Sequence, residues 1–275
     1  MLTSFFVSSL IAALASASPL PADSATSVPL VASLGSSYSA GLGLAESYGN
    51  VLADMLAQQA GLKTPYNNYN NYAVSGSNST AVPDAAKQLG KKKYAAVVMT
   101  TGGNDLNYVA CLGKEYKAWC GKTISKDEFV DRYTKALEAI LANVGDAKNP
   151  IYVVTYTEAL GSKTKCASTN DKNALCNITP QQEDVAKGIY TNLVDWTVTA
   201  FNQFKTAHPE ANPKMITMRD YSKDKHDIDS QVPWINGSED VPKNGGANWH
   251  PNTTGAKFIA QVIYNDINGK PAPSS

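Results

Sequence analysis

The sequence predicts an α/β fold, a three-layer α/β/α domain around a mainly parallel central sheet. Two observations point there. Apolar runs of strand length alternate with amphipathic segments of helix length along nearly the whole chain. The runs are apolar on successive residues, as strands buried on both faces require.

The elements follow in order. "PLVASLG" (29–35) is a short apolar strand ending in glycine, followed at Ser36-Ser37 by a strand-to-helix junction. Residues 43–61 put Leu44, Tyr48, Val51, Leu52, Met55 and Leu56 on one helical face, with Gly61 to close it. "YNNYAV" (69–74) and "YAAVVMTTGG" (94–103) read as strands, and 126–145 as an amphipathic helix. A buried strand starts near Ile151, a long helix covers about 181–207, "KMITMRD" (214–220) reads as a strand, and 252–269 as the closing helix. No internal repeat, heptad pattern or low-complexity linker appears after the leader.

The 275 residues suffice for one domain with a real core, and 43% of them are hydrophobic. Lys+Arg and Asp+Glu both number 24, so the net charge is zero and no electrostatic footprint for nucleic acid is present. The three lysines of "GKKKY" (90–94) read as a solvated helix end. At the N-terminus, a short apolar stretch from Phe5 to Leu14 ends in Ala15-Ser16-Ala17, the small-residue pattern of a cleaved secretory leader. The expected organisation is a signal peptide over 1–17, a short tail over 18–27 and a single domain over 28–275. No later stretch is long and apolar enough for a membrane span. A secreted, extracellular monomer without stable membrane insertion is expected.

Four cysteines in an exported chain favour disulfides, and three pairings are formally possible. The local pairs Cys111–Cys120 and Cys166–Cys176 are preferred, because each brackets one polar loop. Zinc is the rival reading, but no C-x-x-C occurs and His250 is remote, so no metal is expected. Asn78, Asn177, Asn236 and Asn252 begin N-x-S/T sequons and are candidate glycosylation sites.

In parallel sheets, ligands bind beyond the carboxyl ends of the strands. The residues there are Gly35-Ser36-Ser37, then "NYAVSGSNS" with Gly76, then Gly102-Gly103-Asn104-Asp105, and "GGANWHP" with His250 before the last helix. A serine hydroxyl needs a base before it can attack an acyl carbon, and the resulting oxyanion needs hydrogen-bond donors. Ser37, His250, Gly76 and Asn104 supply those parts once each. Each also has a plainer reading: Ser36 or Ser37 as a helix N-cap, Gly76 as a turn glycine, Asn104-Asp105 as an Asx turn, and His250 as a packed ring. Asp105 reads as structural, and His208 and His226 as solvated.

These four stretches resemble the sequence blocks of the SGNH hydrolases, the GDSL-type lipases and esterases, here in a secreted fungal-type form. "GSSYSAG" (35–41) matches the block that supplies the nucleophile, placing it at Ser37. "NYAVSG" places an oxyanion-hole glycine at Gly76, "GGND" matches G-x-N-D in full and places the oxyanion asparagine at Asn104, and "NWHP" places the base at His250. The resemblance runs from Ser37 to Pro251. It implies a flavodoxin-like SGNH fold and a serine esterase, lipase or carbohydrate deacetylase that cleaves carboxylic esters through an acyl-enzyme without a cofactor. The oxyanion hole would comprise the Ser37 and Gly76 N–H groups and the Asn104 side chain. The substrate would be a small-molecule, polysaccharide or lipid ester.

Two positions depart from the family pattern. Ser36 stands where the first block has aspartate, and Ala247 stands where the triad acid is expected. His250 would then be oriented by the main-chain carbonyl of Ala247, or by a carboxylate of the 220–240 loop, which carries Asp224, Asp227, Asp229, Glu239 and Asp240. The first, a Ser–His dyad, is the expectation. The same departures support the alternative of a non-catalytic secreted carbohydrate- or lipid-binding protein on a degenerate hydrolase scaffold. The absence of an amphipathic lid helix favours a short acyl group or a soluble substrate. "TPYNNYNNYAV" could line a sugar groove, or be a turn and an edge strand.

Overall fold

The computed structural model describes residues 29–65, 68–113, 117–164, 166, 176–238 and 245–275. The expected leader and tail, and Glu239 and Asp240, lie outside the described residues. In chain order the elements are β1 (Val31–Gly35), α1 (Ser37–Ala40), α2 (Tyr48–Gln59), β2 (Tyr69–Asn71), α3 (Val82–Ala86), β3 (Ala96–Thr100), α4 (Tyr108–Leu112), α5 (Lys126–Asn143), β4 (Pro150–Val154), α6 (Pro180–Ala207), β5 (Asn212–Ile216), α7 (Met218–Ser222) and α8 (Thr253–Ile267).

The five strands form one sheet in the order β2-β1-β3-β4-β5, and every pairing is parallel. Side chains alternate across it with period two. Ala32, Leu34, Val97, Met99, Ile151 and Val153 join the larger core with residues of α3, α5 and α6. Val31, Ala96, Val98, Tyr152 and Val154 join a second core with α2 and α8. The expected three layers are therefore present. No helix among the described residues is long and apolar enough to cross a membrane.

Helix starts follow local capping. Ser47 caps α2, Ser125 caps α5, and Thr179 with Gln182 forms a capping box at α6. One element differs from the sequence reading. Residues 218–222 are helical, and the last strand lies earlier, at Asn212–Ile216. Pro213 is tolerated there because β5 is the sheet edge. The Met218 N–H then bonds to Thr155 Oγ1 at 2.8 Å, which turns the chain away from the ladder.

The sulfurs of Cys111 and Cys120, and those of Cys166 and Cys176, are bonded, so the local pairs form and no thiolate remains for zinc. The sequons fare unevenly. Asn252 is only 1% exposed, caps α8 through Oδ1 to the Gly255 N–H, and donates from Nδ2 to Pro233 O. A glycan on that nitrogen is incompatible with the folded chain. Asn177 is buried as well, and Asn236 donates from Nδ2 to Gly245 O and Ala247 O. Asn78 is partly exposed and uses its Oδ1 to accept from Thr80.

Candidate active site

The site begins where β1 stops. Gly35 has φ +109°, and a Cβ there would lie 2.3 Å from Thr100 O, so only glycine lets β1 approach β3 this closely. The Ser36 N–H then bonds to Thr100 O at 2.9 Å, and α1 starts at Ser37. Ser36 occupies the N-cap position but makes no side-chain cap. It is fully buried, and its hydroxyl pairs with Tyr156 OH at 3.0 Å.

Ser37 Oγ lies 2.7 Å from His250 Nε2. On the other side of the ring, His250 Nδ1 lies 2.7 Å from Asn248 O. A carbonyl can only accept, so Nδ1 carries the proton and the Nε2 lone pair faces the serine hydroxyl. This corrects the expected acceptor from Ala247 to Asn248. The Ala247 carbonyl is taken by the His250 main-chain N–H at 3.2 Å and by Asn236 Nδ2 at 3.2 Å. The described loop carboxylates are committed elsewhere: Asp224 to Ser162 N–H, Asp227 to Gly161 N–H and Thr164, and Asp229 to Thr164. Burial pushes the His250 pKa below the ordinary 6.5, against the opposing pull of the Asn248 carbonyl. The ring is therefore neutral at pH 7.

The loop that carries His250 is tightly held. Trp249 adopts φ +62°, and its carbonyl accepts from Tyr38 OH at 2.7 Å. Asn236 ties this loop down through its N–H to His250 O (3.1 Å) and its O to the Trp249 N–H (3.1 Å). Ile235 and Pro251 form an antiparallel bridge. His226, expected in solvent, is half-buried and stacks on Trp234 at 3.7 Å in the same supporting loop.

Gly76 and Asn104 face the same pocket as Ser37 and His250, a cavity of about 530 Å³. Gly76 sits at φ +83° in a turn whose Val74 N–H bonds to Gly35 O at 2.9 Å. The main-chain N–H groups of Ser37 and Gly76 have no main-chain acceptor among the described residues. Asn104 Nδ2 donates to Ser77 O at 2.7 Å, which ties the β3 exit to the Gly76 turn. Asp105 is structural: buried, it accepts from the Ser79 N–H (2.8 Å) and hydroxyl (2.7 Å) and lies 3.4 Å from Arg132.

Three supporting groups escape the sequence reading. Asn248 acts through its main chain, which leaves no residue-type signature. Tyr38 follows Ser37 and holds the loop that carries His250. Tyr156 lies two residues past β4, so the strand-end rule could have found it. Its hydroxyl also accepts the Gly103 N–H at 3.1 Å, and burial raises its pKa to about 12.

The fold has known relatives. The extracellular lipase of Streptomyces rimosus superposes with a TM-score of 0.54 at 17% identity, covering 88% of this chain and 100% of that one. Phospholipase A1 of Streptomyces albidoflavus NA297 gives 0.52 at 17% identity, covering 89% and 100%. No curated protein sequence matches the chain. The family model of the GDSL-like lipases and acylhydrolases matches residues 31–263, from the first residue of β1 into α8. With that match over most of its length, the chain belongs to the GDSL-like lipase/acylhydrolase family.

Proposed function

We propose that the chain is a secreted serine hydrolase that cleaves carboxylic esters through an acyl-enzyme. The observation that carries this reading is the 2.7 Å contact between Ser37 Oγ and His250 Nε2 in an open pocket. Ser37 Oγ attacks the ester carbonyl carbon while His250 Nε2 takes the hydroxyl proton. The carbonyl π pair moves to oxygen, where the N–H groups of Ser37 and Gly76 and the second hydrogen of Asn104 Nδ2 stabilise it. Collapse reforms the carbonyl and breaks the bond to the alcohol oxygen, which receives the proton from His250. Water repeats the sequence and frees the acid. The cycle needs no metal or organic cofactor.

The base works as one half of a dyad. The Asn248 carbonyl keeps the tautomer as a carboxylate would, but stabilises the transient imidazolium less. Secretion belongs to the same reading, with a leader over 1–17 and a glycan at Asn78, which is partly exposed. Ala247 favours the alternative, a binding protein without turnover.

Hydrolysis of p-nitrophenyl acetate decides between them. The purified chain should turn it over, and Ser37→Ala and His250→Ala should fall to the buffer rate. Wild type no faster than Ser37→Ala would refute the esterase reading.

A further inference from the structure

Apart from the four residues with catalytic roles, the pocket is lined by Leu42, Asn107, Val109, Ala110 and Trp119. This wall is apolar except for Asn107, whose Nδ2 is given to Lys122 O at 2.5 Å. Leu42 and Trp119 are 41% and 55% exposed, large apolar side chains left uncovered beside a reactive hydroxyl.

The wall is also held in place. Trp119 directly precedes Cys120, whose disulfide to Cys111 fastens it to α4, the helix that carries Val109 and Ala110. Lys122 Nζ stands 5.1 Å over the indole ring. Leu42 donates its N–H to Ser37 O at 3.1 Å and accepts the Ala247 N–H at 2.9 Å, so it is pinned between the nucleophile and the base loop.

We infer that this wall is the subsite for the acyl chain of the ester, and that the enzyme prefers medium-length aliphatic acyl groups to acetyl. The inference rests on the ester-hydrolase reading above, and it replaces the short-acyl expectation. The acyl group stays bonded to Ser37 through both half-reactions, whereas the alcohol leaves after the first. A wall fixed beside Ser37 therefore acts on the acyl chain throughout. A sugar would need several polar partners, and the wall offers one polar side chain, that of Asn107.

The test is a series of p-nitrophenyl esters from acetate to palmitate, with wild type, Trp119→Ala, Trp119→Phe and Leu42→Ala. Each variant is checked by thermal melting for an intact fold. In wild type, kcat/KM should climb about fourfold per methylene until the wall is covered. The octanoate-to-acetate ratio should fall about tenfold in Trp119→Ala and in Leu42→Ala, and Trp119→Phe should recover part of it. The inference is overturned if wild type cleaves acetate but slows with each methylene, or if the ratio is unchanged in both truncations. It is also overturned if the gain appears when alkyl acetates are lengthened on the alcohol side, or if acetylated oligosaccharides outpace every aliphatic ester. In all those outcomes the esterase reading survives. Absence of turnover on any ester refutes that reading instead.

Discussion

In the proposed mechanism His250 serves as the base because its two nitrogens have different partners. The Asn248 carbonyl holds the Nδ1 proton, and burial disfavours a second one on Nε2. A lowered pKa means that the ring sheds its extra proton at a lower pH than a free histidine does. In a pH profile of kcat/KM, the acid limb should therefore have its midpoint below pH 6.5, with activity lost as pH falls through it. A midpoint above 6.5 would mean that a carboxylate stabilises the imidazolium. Tyr156 is a positioning residue at the same scale. Its hydroxyl satisfies both Ser36 and the Gly103 N–H, which flank Ser37 and Asn104. Tyr156→Phe leaves two buried polar groups without that partner and should cost about 1–3 kcal/mol in urea denaturation. Because Tyr156 is buried and does not line the pocket, kcat should drop while KM changes little. A loss of stability with unchanged kcat would reduce Tyr156 to a core residue.

Caps and covalent ties place the elements around the site. Asn252 starts α8 and, through Pro233 O and the Trp234 carbonyl, fastens the strand of chain on which His250 sits. Asn252→Ala should lower stability by about 1 kcal/mol from the cap alone, and by more from the second bond, read as a falling urea midpoint. The Cys166–Cys176 disulfide closes a short loop, and Cys166→Ser with Cys176→Ser should cost about 2–3 kcal/mol in the same measurement. The strongly periodic and capped helices, such as α5 and α6, were readable from sequence within a residue or two. The bounds of β5 were not. "KMITMRD" holds its apolar residues at 215, 216 and 218, but the ladder is set by β4, and Pro213 can join it only because β5 is an edge.

Across the whole molecule, the strand order explains why remote residues meet. The chain leaves β1 for β2 on one side and returns to β3 on the other, so the carboxyl ends of β1 and β3 border the topological switch point. Ser37 follows β1 and Asn104 follows β3, while Gly76 lies on the return from β2. That much was legible, because each residue type sits just past an apolar run. The orienting acceptor was not, since a main-chain carbonyl two residues before His250 depends on Trp249 adopting φ +62°. Whether this geometry activates Ser37 can be read with a fluorophosphonate probe followed by peptide mass spectrometry. One adduct should form on the peptide carrying Ser37, absent in Ser37→Ala and formed at least about a hundredfold more slowly in His250→Ala. Labelling of another serine, or labelling of Ser37 at the same rate without His250, would contradict that activation.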